Sequence, residues 1–377
     1  MQLRKELKGC KRIVIKVGSN VVTKDNGKCD TRKMRIIAED ISDLVDHGFE
    51  VVLVSSGAVS VGKAFLKEKL PRSGTTDLQQ SASSIGQPKL ISQYSQLFEE
   101  QEHICAQILL THDDFKNRTR FLNAKQAVEI LLENKIIPIL NENDSVSYNL
   151  ITVGDNDHLA ASAAQMIKAD ALLIITGAKG LFDKDPSIKD AKLIKEVKYG
   201  DDLNHINMKN KSSVGRGGMH SKIQAVQKAT SLGIKAIISS RDSLRIVVDP
   251  LTKEIGTFFS PQANFDPEMK KAWLVSTKKL DCAIEVDSGA YNALIAGHSL
   301  LPKGITQASG NFTRGDCVDI LHKGEVFAVG VTEYDQKDIL KIKQIHSDDI
   351  EKILGFKNSN VVIHTENLAI TEEDSND

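Results

Sequence analysis

Residues 12–18 read "RIVIKVG", and the fold turns on how that run is understood. Ile13, Val14, Ile15 and Val17 show no apolar–polar alternation, the pattern of a strand covered on both faces rather than one lying open to water. The same texture returns in "EVVLVSSG" (50–57), "ICAQILLT" (104–111), "KIIPILNEND" (135–144), "ALLIITGAKG" (171–180) and "KAIISS" (235–240). Helical patterns lie between these runs. In 31–47, Ile37, Ile41, Leu44 and Val45 share one face and Gly48 is a natural stop. Strands alternating with helices predict an α/β chain folded as a three-layer α/β/α sandwich with a mainly parallel central sheet. Ligands of such sheets gather at the carboxyl ends of the strands. Four polar clusters fall there: "GSN" (18–20), "SSGA" (55–58), "NEND" (141–144) and "TG" (176–177).

The texture changes after residue 262. The reading is a first domain over 1–262, a linker over 263–277, a small β-rich domain over 278–356, and a tail over 357–377 whose acidic end, "TEEDSND", is expected to be disordered. A length of 377 residues accommodates this division. Lys and Arg total 49 against 50 Asp and Glu, a net charge of −1 that gives no global basic excess for nucleic acid. The five cysteines (Cys10, Cys29, Cys105, Cys282 and Cys317) are scattered, with no C-x-x-C spacing, which fits a reducing compartment. The ten histidines form no metal-binding motif. The N-terminal apolar run is broken at Lys16, unlike a secretory signal. No stretch approaches the ~18 apolar residues of a membrane span. A cytoplasmic protein without membrane partners is expected.

Lys16 is costly inside an apolar strand unless it emerges at the strand end or meets an anion. Gly18, Ser19 and Asn20 would then turn the chain and offer N–H groups suited to phosphate; a strand-edge lysine before an ordinary turn is the plainer alternative. "SSVGRGGMHSK" (212–222) places Gly215, Gly217 and Gly218 before a helix, with Lys222 about one turn in. Such a loop attracts phosphate through its N–H groups and the helix dipole, or else is a surface loop. "NENDSV" (141–146) is either a polar turn or part of a site. "VGDNDHLAAS" (153–162) crowds Asp155, Asn156 and Asp157 onto one turn, where helix capping needs only one such residue. "THDDFKNRTRFLN" (111–123) reads as a polar loop entering a helix.

Taken in order, "IVIKVGSNVV", "VVLVSSGAVSVG", "RFLNAKQAVEILL", "PILNENDSV", "VGDNDHLAA" and "GGMHSKIQA" resemble the glutamate 5-kinases of the amino acid kinase family. The stretch "SLLPKGITQASGNFTRGDCVDIL" (299–321) is similar to a PUA domain. The resemblance implies the amino acid kinase fold plus a C-terminal PUA domain, and an ATP-dependent phosphorylation of the γ-carboxylate of L-glutamate, opening proline synthesis. Lys16, Lys222 and Asp157 would be catalytic. Ser56, Gly57, Ala58, Asp144 and Asn156 would bind glutamate. Lys16, Gly18, Ser19, Thr176, Gly177, Arg216, Gly217, Gly218, Met219, His220, Ser221 and Lys222 would meet ATP and its Mg2+, with no metal ligated by the protein itself. A homo-oligomer (dimer or tetramer) and a separate glutamate semialdehyde dehydrogenase as pathway partner are likewise implied.

The chain departs from the family pattern at two places. Many relatives have Thr-Asp at Thr176-Gly177, and Thr-Gly-Gly-Met at Arg216-Gly217-Gly218-Met219. Two alternatives stand beside this reading: a sister kinase acting on aspartate, N-acetylglutamate, a nucleotide monophosphate or carbamate, or an RNA-binding protein working through its PUA-like domain. Lys278, Lys279, Lys303, Arg314 and Lys323 are interspersed with acidic residues, which argues against RNA.

Overall fold

The six apolar runs all become strands of one sheet. The computed structural model describes residues 1–66, 75–146, 155–203, 218–262 and 278–371, and the chain divides into two units, Met1–Asn264 and Phe265–Asp377. Strands of the first unit are β1 (Arg12–Val17), β2 (Glu50–Ser55), β3 (Cys105–Leu110), β4 (Ile137–Glu142), β5 (Ala171–Thr176), β6 (Glu196–Val197), β7 (Lys235–Ser240) and β8 (Thr257–Phe259). Their order is β3-β4-β2-β1-β5-β7-β8-β6. From β3 to β7 every pairing among the described residues is parallel, β7 pairs antiparallel with β8, and β8 pairs parallel with β6. The mainly parallel sheet expected from the sequence is thus present.

Helices α1 (Ser19–Val22), α2 (Thr31–Asp46), α3 (Ala58–Leu66), α4 (Thr75–Glu99), α5 (His112–Lys116), α6 (Arg118–Glu133), α7 (Asp155–Met166), α8 (Met219–Ser231) and α9 (Val248–Thr252) flank the sheet. Side chains alternate along a strand, so the sheet feeds two cores. Ile13, Ile15 and Val17 pack with residues of α2 and α4. Val14 packs on the other face with residues of α6, α7 and α8. This is the three-layer sandwich. The same alternation puts Lys16 on the face of Val14, beneath α7 and α8.

One local reading needs correction. The stretch 111–123 does enter a helix, α6, but the expected loop before it is the short helix α5. Asp114 accepts from the backbone N–H of Thr111 at 2.6 Å and from its hydroxyl at 2.8 Å, and Asn117 caps α6 by accepting from Arg120 N–H at 3.1 Å. Polar residues there are caps rather than loop markers. Helix α2 also buries Asp40, 1% exposed on its apolar face. Its carboxylate accepts from Arg245 Nε at 2.7 Å and Val247 N–H at 2.8 Å, which ties the helix to the segment entering α9.

The second unit is a five-stranded sheet: β9 (Lys278–Val286), β10 (Ile305–Ser309), β11 (Cys317–His322), β12 (Glu325–Val331) and β13 (Leu368–Ile370), in the order β10-β9-β11-β12-β13. A tail beginning at 357 is therefore placed too early. Strand β13 pairs antiparallel with β12, and Val362, Ile363 and Leu368 lie in the core. Their short apolar runs sit beside a polar, acidic terminus that disguised them. The linker 263–277 and residues 372–377 lie outside the described residues.

Helices α3 and α4 cross at contact distance because glycines face each other's backbone. A Cβ on Gly86 would stand 1.8 Å from Ala58 O, and one on Gly62 would stand 1.7 Å from Ala82 O. Gly86→Ala and Gly62→Ala are each expected to lower stability by about 1–3 kcal/mol through overpacking. Denaturant titration reads this directly, and an unchanged midpoint in both variants would contradict so close a crossing.

Candidate active site

Three elements deliver charge to one point. Strand β1 brings Lys16 at its carboxyl end, α7 brings Asp157 in its first turn, and α8 brings Lys222 in its first turn. Lys16 Nζ lies 2.5 Å from Asp157 Oδ1 and Lys222 Nζ lies 3.0 Å from Asp157 Oδ2. Ser221 Oγ donates to the same Oδ2 at 2.8 Å. Asp157 has no exposed surface, and Lys16 and Lys222 are 5% and 6% exposed. The Lys16 contact is an ion pair without an aligned hydrogen bond. Burial by itself would raise the Asp157 carboxyl, but the two ammonium groups, Lys16 first, hold it down to about 2. Burial, then the like charge of Lys16, lowers Lys222 from its ordinary value, with Asp157 opposing.

Beside this triad, at the ends of β2 and β4, lies a chain of amides. Asn156 Nδ2 donates to Ser56 Oγ at 3.0 Å and to Asn141 Oδ1 at 3.1 Å. Asn141 Nδ2 donates to Gln87 Oε1 of α4 at 2.8 Å. Ser83, also on α4, donates to Asp144 at 3.1 Å. Gly57 adopts φ 110°, and a Cβ there would stand 3.0 Å from Val22 Cγ2, so glycine lets Ser56 and Ala58 close on α1. The structure thus brings Ser56 and Asn156 together beside Gly57 and Ala58, and holds Asp144, just past β4, on Ser83 of α4. Asn156 and Asp157 spend these bonds across the site rather than on capping their own helix.

The turn at Gly18, expected to meet nucleotide, joins the sheet edge. Gly18 N–H donates to Ile175 O at 3.3 Å, which joins the turn before Ser19 to the strand ending in Thr176. Gly218 precedes α8, followed by Met219, exposed His220, Ser221 and Lys222. Arg216 and Gly217 lie outside the described residues. A Cβ on Gly177 would stand 3.0 Å from Asn20 Nδ2, so a larger residue requires Asn20 to shift. Arg241 reaches this corner unannounced by any motif: its N–H donates to Thr176 O at 2.8 Å and its guanidinium bonds Asn20 O. Ser83 and Gln87 were equally silent, since "SASSIGQP" (81–88) carries no motif. The small residues that allow the α3–α4 crossing were the signal.

The arrangement can hold an anionic transferring group over two fixed ammonium groups while a second anion rests on hydroxyl and amide donors. The model of the amino acid kinase family matches residues 11–240, and that of the PUA domain matches 283–354. A protein of Caldanaerobacter subterraneus subsp. tengcongensis named glutamate 5-kinase is 40% identical over 372 residues, 96% of this chain and 98% of that one. A glutamate 5-kinase of Citrifermentans bemidjiense is 40% identical over 375 residues, 98% of this chain and all of that one. Among solved structures, the UMP kinase from Ureaplasma parvum covers 67% of this chain at 17% identity, with a TM-score of 0.46.

Asp157 also leaves a mark on stability. Its folded pKa of about 2 lies below the unfolded reference of 3.8. Its contribution is therefore complete above the unfolded value and is lost as pH falls from there towards 2. Asp157→Asn should remove that part of the acid slope and, by leaving two lysines buried without a counter-charge, cost about 3–5 kcal/mol at neutral pH. Unfolding free energies of both proteins from pH 2 to 7 give the comparison. An unaltered acid slope in the variant would refute the assignment.

Proposed function

The chain belongs to the amino acid kinase family, and from that premise we propose that it transfers the γ-phosphoryl group of ATP to the γ-carboxylate of L-glutamate, giving γ-glutamyl phosphate and ADP. The observation that carries the reading is the pair of buried lysines, from β1 and α8, held on one carboxylate beside the Ser56–Asn156 donors.

A carboxylate nucleophile is already ionised at neutral pH, so no residue needs to take its proton. The difficulty is holding two anions together and stabilising charge on the phosphoryl group in flight. Lys16 and Lys222 supply fixed positive charge in a water-poor site, where it acts more strongly than in solvent. Asp157 fixes where both ammonium groups stand. Glutamate is held with one carboxylate on Ser56, which Asn156 orients, and on the Gly57–Ala58 backbone, and with its α-ammonium on Asp144. A carboxylate oxygen bonds to the γ-phosphorus as the bond to the bridging oxygen of ADP breaks. Among the described residues, no group of three or more His, Cys, Asp or Glu is assembled as a metal cage. Mg2+ would arrive on the phosphates of ATP, where it would neutralise part of their charge.

The acyl phosphate product is labile, so a glutamate semialdehyde dehydrogenase that consumes it is the expected pathway partner, in proline synthesis. We place the protein in the cytoplasm as a homo-oligomer. No helix among the described residues is long and apolar enough to cross a membrane, and all five cysteines are free thiols.

The reading is tested with purified protein, ATP and Mg2+, trapping acyl phosphate with hydroxylamine. L-glutamate, L-aspartate, N-acetylglutamate and uridine monophosphate are compared as acceptors. Hydroxamate is expected with L-glutamate alone, and turnover only with another acceptor would refute the substrate. Lys16→Ala and Lys222→Ala should each lower kcat by at least about a hundredfold. Asp144→Ala should raise the KM for glutamate far more than that for ATP.

A further inference from the structure

We propose that Gln87 is a positioning residue that, through Asn141 and Asn156, turns the Ser56 hydroxyl into a hydrogen-bond donor for the substrate carboxylate. The inference deepens the glutamate reading above and rests on it.

One unambiguous donor fixes the direction of the chain. The backbone N–H of Glu142 donates to the Asn141 carboxamide oxygen at 2.9 Å. An amide carries its acceptor and its donors at opposite ends, so Asn141 Nδ2 faces away, onto Gln87 Oε1 at 2.8 Å. The Asn156 atom 3.1 Å from Asn141 Oδ1 must then be a nitrogen. The same Glu142 N–H, 3.3 Å from Asn156 Oδ1, orients the second amide the same way. The other hydrogen of Asn156 Nδ2 goes to Ser56 Oγ at 3.0 Å. Ser56 therefore accepts, and its own hydrogen is left to donate. Among the described residues no acceptor takes that hydrogen. A serine so directed favours a carboxylate oxygen and disfavours an ammonium.

Gln87 is the acceptor terminus on which this order depends. Asn141 is 2% exposed and Gln87 8%, so water does not replace Gln87 Oε1 if it is lost, and a buried donor is left unmade. Relief by rotating Asn141 would set its amide nitrogen against the Glu142 N–H and reverse the order along Asn156 to Ser56. Helix α4 holds Gln87 in place, and Gly86, the preceding residue, is the contact that seats α4 on α3.

The test is a double-variant cycle in the hydroxamate assay, with Gln87→Met, Ser56→Ala and both together. Gln87→Met should raise the KM for L-glutamate about fivefold or more. The KM for ATP should stay within about twofold, and the double variant should be no worse than Ser56→Ala alone, because the relay ends at Ser56. A KM for glutamate that does not rise, an equal rise for ATP, or effects that multiply in the double variant would each overturn the proposal. Gln87→Glu keeps an acceptor oxygen facing Asn141 and guards against a Met variant that fails to fold. It should hold the glutamate KM within about threefold of the unsubstituted protein, and a larger rise counts against the relay. The unsubstituted protein separates the two readings. If it turns over another acceptor, the substrate proposal fails, while the same cycle run on that acceptor still decides the role of Gln87.

Discussion

A carboxylate with no contact with water holds two ammonium groups, and much of the first unit is arranged to make that tolerable. A buried charge is retained only when paired. Asp157 reaches its partners because β1 delivers Lys16 to the same face as Val14, and because α7 and α8 lie side by side over that face. The cluster carries a net positive charge at the carboxyl edge of a parallel sheet. The low value of Asp157 and the lowered value of Lys222 are two sides of this arrangement.

A second constraint is steric. The crossing of α3 and α4 at Gly62 and Gly86 brings α4 near enough for Ser83 to reach Asp144 and for Gln87 to reach Asn141. Glycine here is a matter of distance rather than of backbone freedom, since a methyl group would meet a carbonyl oxygen. The cationic triad and the amide chain adjoin through neighbours in sequence: Asn156 belongs to one and Asp157 to the other. One helical turn therefore couples the paired lysines to the amide chain that ends on Ser56.

Much of this was legible before any coordinate. The six strands lie where their uninterrupted apolar runs put them, because residues covered on both faces must be apolar on both faces. Lys16 announced itself as an expensive residue in such a run, and it meets a carboxylate. Asn156 and Asp157, crowded beyond the needs of a cap, bond Ser56, Asn141 and the two lysines in place of capping their own helix. Polar residues that cap helices, at 111–117, look like a loop in the sequence. A short apolar run beside an acidic terminus, at 361–370, looks like a tail.

Sequence alone determined the fold class, the strands and the charged residues at their carboxyl ends, because those follow from periodicity and from the cost of burying charge. It could not determine which residues on distant segments meet. That Lys16 and Lys222 share one carboxylate, that Gln87 orients Asn141, and that Arg241 braces Asn20 depend on strand order and on how closely two helices approach. Those are properties of packing in three dimensions. No local pattern encodes them, since the partners lie 54 residues apart in the case of Gln87 and Asn141, and 221 in the case of Arg241 and Asn20.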